Sequence, residues 1–396
     1  MRSFAGPVVI VLTALVASCQ QGDEELGTAP LRVDVAAVEE LRIGDVEGNA
    51  EYLFGNVVDV ATDSLGRIYV ADRSIPAVRV YDWNGEFLTD IGRAGQGPGE
   101  LGGLLSVAVG PDGRLYVLDA RRITAFATNP ATGVLEMLDG TISHAGVGPR
   151  FRSQAARVGG GMFYYPIYRY PSDGPPTYAY LVFSTDSVAA PDTLHVPPYE
   201  GIERNRAAYY LISETGGRMV HGLSAAPFEP IPSWDVSASG TIVGGNGRDY
   251  VLYETNADGD TVRTIALEEN PRPVSEAAAA DSVSALRNRL DSLPVPTSEV
   301  AHASSTALSG ESPEVHPAFI GVEVGADGAI WVELSHEIAG SRVFDVLSGS
   351  GERIRTVELR VPFSREHRIE LRENRAVGVV VDEATGVQTI VRAVVR

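Results

Sequence analysis

Polar turns that end in glycine, each followed by a short run of β-branched and aromatic residues, punctuate the whole chain. DSLGRIYVAD (63–72), PDGRLYVLD (111–119) and GADGAIWVEL (325–334) carry the pattern most clearly. Looser copies are VGGGMFYYP (158–166), SASGTIVGG (237–245) and ENRAVGVVVD (373–382). With Gly66, Gly113, Gly161, Gly240, Gly328 and Asn374 as markers, the interval is about 47 residues, with two longer exceptions. A fixed period of this size means one supersecondary unit repeated along the chain.

Each unit holds four strand-like segments. One precedes the marker, as in NVVDVATD (56–63) and LLSVAVGPD (104–112). After the marked strand come a third segment, a hairpin turn and a fourth, as in RVYDWNGEFLTDI (79–91), LVFSTDSVAAPDTL (181–194), VLYETNADGDTVRTI (251–265) and VFDVLSGSGERIRTV (343–357). Asn84-Gly85 and Asp258-Gly259 suit tight turns with positive φ. Four strands per unit and six units predict an all-β fold, a six-bladed β-propeller of four-stranded antiparallel blades. The last unit supplies only three strands before Arg396, so LRVDVAAVEELRIG (31–44) is expected to complete it and close the ring.

The glycine-rich stretch GRAGQGPGEL (92–101) reads as an inter-blade connection, because a strand follows it where a phosphate loop would open a helix. A second copy, Ala145 to Pro149, stands at the same place in the next unit. Two insertions interrupt the rhythm. The first, about 195–233, contains RAAYYLIS and RMVHGLS and predicts extra strands or a long hairpin. The second, 271–317, predicts one helix, capped by Ser275, with Val283, Leu286, Leu290 and Leu293 at helical spacing.

The first residues fall outside the propeller argument. Arg2, the apolar run Val8 to Val16 and the sequence Val16-Ala17-Ser18-Cys19 have the form of a lipoprotein signal over 1–18, with Cys19 as the acylated mature N-terminus. The apolar run is too short to span a bilayer, which takes about 20 residues. Residues 19–30 read as an acidic tether, and Gln20 directs the expectation toward the outer membrane.

Composition narrows the function classes. A formal charge of −20, with no basic cluster interleaved with aromatics, excludes nucleic acid as a partner. The chain is expected to be a monomer.

The position seven before each marker should lie on the innermost strand, giving Asp59, Ser106, Gln154, Ser233, Gly321 and His367. Two residues on come Ala61, Ala108, Ala156, Asp235, Glu323 and Ile369, on the same side of the strand. Asp59, Asp235, Glu323 and His367 are therefore candidate channel residues, serving either as ligands to one cation or as channel hydration that neutralises Arg157 or Arg368. Loops after the marked strands offer a second surface, with Asp72, Arg73, Asp119, Arg121, Arg248, Asp249, His336, Asp382 and Glu383 as candidate rim-binding residues.

The segments GRIYVAD…VRVYDWNGEFLTDIGRAGQGPGEL, GRLYVLDARRITAF and WDVSASGTIVGGNGRDYVLYETNADGDTVRTI resemble the NHL-repeat and TolB-like six-bladed propeller lipoproteins of bacterial envelopes. Ala77 departs from the pattern by replacing an arginine that often opens the third strand, whereas Arg122 keeps it. The favoured expectation is an envelope lipoprotein whose propeller face binds a protein, peptide or glycan without catalysis and without a cofactor. The alternative is a metal-dependent hydrolase or lyase similar to lactonase-type propellers, with calcium on the channel residues.

Overall fold

The computed structural model describes residues 32–119, 122–129, 133–138, 142–143, 156–169, 177–186, 192–195, 209–215, 218–224, 228, 230, 232–268, 271–291, 313–338, 340–372 and 374–396. Cys19, the expected leader and tether, and the second glycine-rich copy lie outside these residues.

The chain is a six-bladed β-propeller. Blade one pairs Val57–Thr62, Ile68–Asp72, Val78–Tyr81 and Phe87–Ile91 in that order from the axis outward. Blade two pairs Leu104–Val109, Leu115–Asp119, Arg122–Thr128 and Leu135–Met137. Blade three is built from Arg157–Gly159, Met162–Arg169, Thr177–Ser184 and Asp192–His195, and blade four from Ser233–Val236, Ile242–Gly245, Val251–Thr255 and Thr261–Ala266. Blade five uses Phe319–Val324, Ile330–Ile338, Ser341–Leu347 and Arg353–Leu359.

Blade six joins the two ends of the chain. Glu370–Arg372, Arg375–Val381 and Gln388–Val395 supply its inner strands, and Val35–Ile43 pairs antiparallel with Gln388–Val395 as the outermost. The first residues of that outer strand also run parallel to blade five, Val35 opposite Val357 and Ala37 opposite Leu359. One segment therefore covers two strand edges that would otherwise be open.

The recurrent glycines have a backbone cause. Gly66, Gly113, Gly161, Gly240 and Gly328 all sit at φ between +74° and +89° in the turn joining the inner strand to the second. A Cβ is disfavoured there, which is why the turn is marked in the sequence. Asn374 does not share that conformation, and the turns of blades three and six are shorter: Gly159 pairs with Met162, and Arg372 with Arg375. Blade one instead pairs Thr62 with Ile68. The predicted hairpins are present, with Gly85 at +82° and Gly259 at +88°.

The second strands of blades one and two are buried on both faces, so they read as nearly continuous apolar runs, whereas outer strands such as Phe87–Ile91 and Thr261–Ala266 are largely exposed. In blade one, Val60, Ile68, Val70 and Tyr81 pack with Val377, Val379 and Ile390 of blade six. Tyr69, Ala71, Val78 and Val80 of the same strands pack with Leu104, Val107 and Val117 of blade two. The core is thus a set of wedges between neighbouring sheets.

Both insertions leave the blades intact. The first contains a hairpin, Tyr209–Thr215 with Arg218–Ser224. In the second, Glu276–Asp291 is the helix, and the Ala278 amide donates to the Ser275 hydroxyl oxygen at 3.1 Å. Its two ends meet: the Val274 amide donates to Glu314 and the His316 amide to Arg272, so this segment leaves and rejoins the blade at one point.

The glycine-rich loop 92–101 turns the chain, as expected. The Glu100 carboxylate folds back to accept the Gln96 and Gly97 amides at 2.9 and 2.8 Å, so the loop's own side chain takes these donors. Arg122 donates to the Gly97 and Glu100 carbonyls and fastens the loop to blade two. In blade one Ala77 cannot do this, and Arg79, two residues on, donates to the Leu53 carbonyl at 2.8 Å instead.

Candidate functional site

The inner strands hold one another through side chains that accept the next blade's amides. Asp59 accepts the Val107 amide at 3.0 Å together with the Ser106 hydroxyl, and Ser106 in turn accepts the Ala156 amide at 2.9 Å. Ser233 accepts the Val322 amide and Asp235 the Val324 amide, both at 2.8 Å. These residues carry the ring from blade one to three and from four to five.

Between blades three and four the link is ionic. Arg157 donates from Nε and Nη2 to the two oxygens of Asp235, and both side chains are buried. Burial opposes the Arg157 charge, but Asp235, Glu323 and Glu370 outweigh it and strengthen its proton affinity. Around the guanidinium, burial pushes Asp59 up to about 7, Glu323 to about 8 and Glu370 to about 7. For Asp59 the Ser106 and Val107 hydrogen bonds offset part of that rise. Glu323 Oε2 and Arg157 Nη1 are buried without a hydrogen-bond partner. The axis therefore holds a compact group of carboxyls around Arg157, in which Glu370 also pairs with Arg368 at 2.8 Å, while Asp59, Asp235 and Arg157 join neighbouring blades.

This arrangement brings Asp59, Asp235 and Glu323 to the axis and leaves His367 out of it. The His367 ring bonds through Nδ1 to Ser364 Oγ and through Nε2 to the Val57 carbonyl, both at 2.9 Å. Because the turns in blades three and six are short, their registers shift by one: Arg157 and Glu370 take the places the sequence assigned to Ala156 and Ile369. Ala156 and Ile369 are core residues, at 0% and 1% exposure. Gln154 lies outside the described residues. Among the described residues, no group of three or more His, Cys, Asp and Glu side chains is disposed to hold a metal ion.

The rim candidates divide into two kinds. Asp72, at 0% exposure, accepts the Gly55, Asn56 and Ser74 amides and the Ser74 hydroxyl, all within 3.0 Å. Asp119, at 1%, repeats this in blade two by accepting the Gly102 and Arg122 amides. Both staple the loop that enters their own blade, and neither is available to a ligand. Arg73, Arg248 and Asp249 are exposed, with Arg73 donating to the Leu104 carbonyl and the Arg248 amide to Asn246. Asp382 caps its own turn through Thr385, and Glu383 is exposed. His336 lies in strand Ile330–Ile338, and Arg121 lies outside the described residues.

The face bearing the inner-to-second-strand turns holds two cavities, and a larger one of about 980 Å³ lies elsewhere, against Phe363 and Thr389. A cavity of about 350 Å³ at the mouth of the axis is lined by the Gly110–Gly113 turn, Arg157, Arg368, Glu370 and Arg372. A second, of about 480 Å³, lies between blades six and one against Trp83, Arg375 and Arg392. Both are bounded by Ser64, Ala326, Glu370 and Arg372, so the two cavities adjoin across a shared wall. Sequence reasoning missed Arg375 and Trp83, because the hairpin turn that carries Trp83 meets the strand of Arg375 only when blade six closes on blade one.

A family model described as a six-bladed β-propeller matches residues 45–127. Among solved structures, the chain is similar to the PQQ-bound aldose sugar dehydrogenase of Streptomyces coelicolor, with 13% identity and a TM-score of 0.40. That match covers 92% of this chain and 99% of the other. Virginiamycin B lyase of Staphylococcus aureus shows 12% identity and a TM-score of 0.31 over 88% of this chain and 82% of that one. Regucalcin, a calcium-binding protein of Agrobacterium tumefaciens, shows 12% identity and a TM-score of 0.31 over 89% and 93%. No curated protein matches the sequence.

Proposed function

We propose that this chain is a lipid-anchored envelope protein whose propeller holds a polar peptide or glycan across its turn face without transforming it. The observation that carries this reading is the pair of adjoining cavities that extends from the axis to the gap between blades six and one. Its walls combine backbone turns, arginines, carboxyls and one indole, a mixture suited to hydroxyls, amides and charged groups of an extended ligand. Four of the side chains that the sequence offered as channel, metal or rim-binding candidates serve the fold instead. Asp72 and Asp119 staple loops, Asp235 is paired with Arg157, and His367 ties blade six to the Val57 carbonyl. Attachment at Cys19 supports an envelope location, since two or more acyl chains anchor stably where one does not.

The test uses residues 20–396, the mature chain without its lipidated Cys19, on glycan and peptide arrays beside a Ser64→Trp variant. Ser64 is exposed on the wall shared by both cavities, so an indole there obstructs them without entering the core. Binding of one ligand class by the wild type, weakened at least tenfold in the variant at unchanged circular dichroism, supports the reading. Equal binding by both proteins, binding by neither, or turnover of the bound ligand overturns it.

A further inference from the structure

We propose that the cavity between blades six and one is a subsite for a uronic-acid sugar, with the Arg375 guanidinium receiving the carboxylate. The inference rests on the reading of the turn face as the binding face and names the ligand class for it.

Three arginines line the pocket, and they are not equivalent. Arg392 is neutralised by Glu40, at 2.8 Å, and also donates to the Trp83 carbonyl at 2.6 Å. Arg372 gives Nε and Nη2 to the hydroxyl and carbonyl of Thr62, at 2.9 and 2.6 Å. Arg375 has no acidic partner among the described residues, and its Nε is buried without a hydrogen-bond acceptor. Its guanidinium lies 4.3 Å from the Trp83 ring centre, and that of Arg392 lies 3.7 Å from the same ring. Two cations thus share one indole, while a single carboxylate compensates only one of them.

The cavity of about 480 Å³ is also lined by Asp63, which is paired with Arg67, by Glu370, which is paired with Arg368, and by Asp327, so Arg375 is a cation whose charge no ion pair among the described residues compensates. Stacking on Trp83 holds the guanidinium plane in place, so its donor fork is set before a ligand arrives. A carboxylate matches that fork with two parallel hydrogen bonds. The remaining walls favour hydroxyls. Thr62 and Ser64 offer hydroxyls, and the carboxyls of Asp63, Asp327 and Glu370 would repel a second anionic group. A carboxylate beside a ring of hydroxyls, the chemistry of a uronate, satisfies both requirements.

The experiment titrates the mature chain with D-glucuronate, D-glucose and N-acetyl-alanine, following tryptophan fluorescence and calorimetric heat. Saturable glucuronate binding, with glucose at least tenfold weaker, is expected. Arg375→Ala should lose at least tenfold in glucuronate affinity, and Arg375→Lys, which keeps the charge but not the fork, should fall between. Melting curves of both variants show that the fold is retained, and Arg375→Lys carries the comparison if the alanine variant fails to fold. Equal binding of glucose and glucuronate, or unchanged affinity in the variants, overturns the subsite. Equal binding of N-acetyl-alanine assigns the site to a peptide carboxylate and overturns the sugar. Failure of glucuronate while an array ligand is still lost in Ser64→Trp refutes this subsite and leaves the binding-module reading standing.

Discussion

Asp59 and Ser106 meet across the boundary between blades one and two, where the hydroxyl donates to the carboxylate and accepts the Ala156 amide of blade three. One small side chain therefore relays hydrogen bonding across three blades. Ser106→Ala strands the Ala156 amide and removes a donor from a buried carboxyl. A buried polar group left unpaired costs about 1–3 kcal/mol, so the variant should lose roughly 2 kcal/mol or more. Urea unfolding of the mature chain measures this, and a loss below about 0.5 kcal/mol would refute the relay.

The axial carboxyls give stability a direction with pH. Burial raises Asp59 and Glu370 to about 7 and Glu323 to about 8, from ordinary values near 4. A carboxyl with a raised folded-state pKa favours folding while protonated. Its contribution is complete below about pH 4 and is lost as pH climbs through 7 and 8. Glu323→Gln keeps the shape and removes the group with the highest value. It should match the wild type near pH 4 and exceed it at pH 9 by roughly 1–2 kcal/mol. Urea midpoints at the two pH values test this, and parallel pH profiles would count against it.

Asp72 and Arg73 are sequence neighbours with opposite roles. Asp72→Ala orphans three amides around a buried site and should cost about 3 kcal/mol or more, whereas exposed Arg73→Ala should cost less than about 1 kcal/mol. Asp119→Ala should behave like Asp72→Ala, since it repeats the staple in blade two. Comparable losses for Asp72→Ala and Arg73→Ala would refute this division.

Strand Val35–Ile43 closes the ring. Deleting residues 32–44 exposes Gln388–Val395 as an open edge and removes Ala37 and Ile43 from the core. The melting temperature should fall by ten degrees or more, on the order expected when several kcal/mol are lost. Deleting residues 20–25 should leave it unchanged. Similar melting curves for the two truncations would rule out the closure as a source of stability.

The blade repeat was legible in the sequence because its causes are local. A turn at φ near +80° calls for glycine, so Gly66, Gly113, Gly161, Gly240 and Gly328 declare the period wherever the chain makes that turn. Counting strands then required an N-terminal segment to finish blade six, and the chemistry of Ser275 and the spacing from Val283 indicated the helix. The axial residues were legible only in the blades with the longer turn. A strand's side chains alternate in direction, so the shorter turns of blades three and six, one residue out of step, sent Arg157 and Glu370 to the axis and His367 away from it. Sequence likewise shows Asp72 and Asp119 as polar strand ends beside loops. Only folding reveals that the loops entering those blades, through Gly55 and Gly102, bury them. The same holds for Trp83 of blade one, which meets Arg375 and Arg392 of blade six because ring closure brings the two blades together. Local backbone demands are written in consecutive residues, whereas burial and convergence depend on which strands become neighbours.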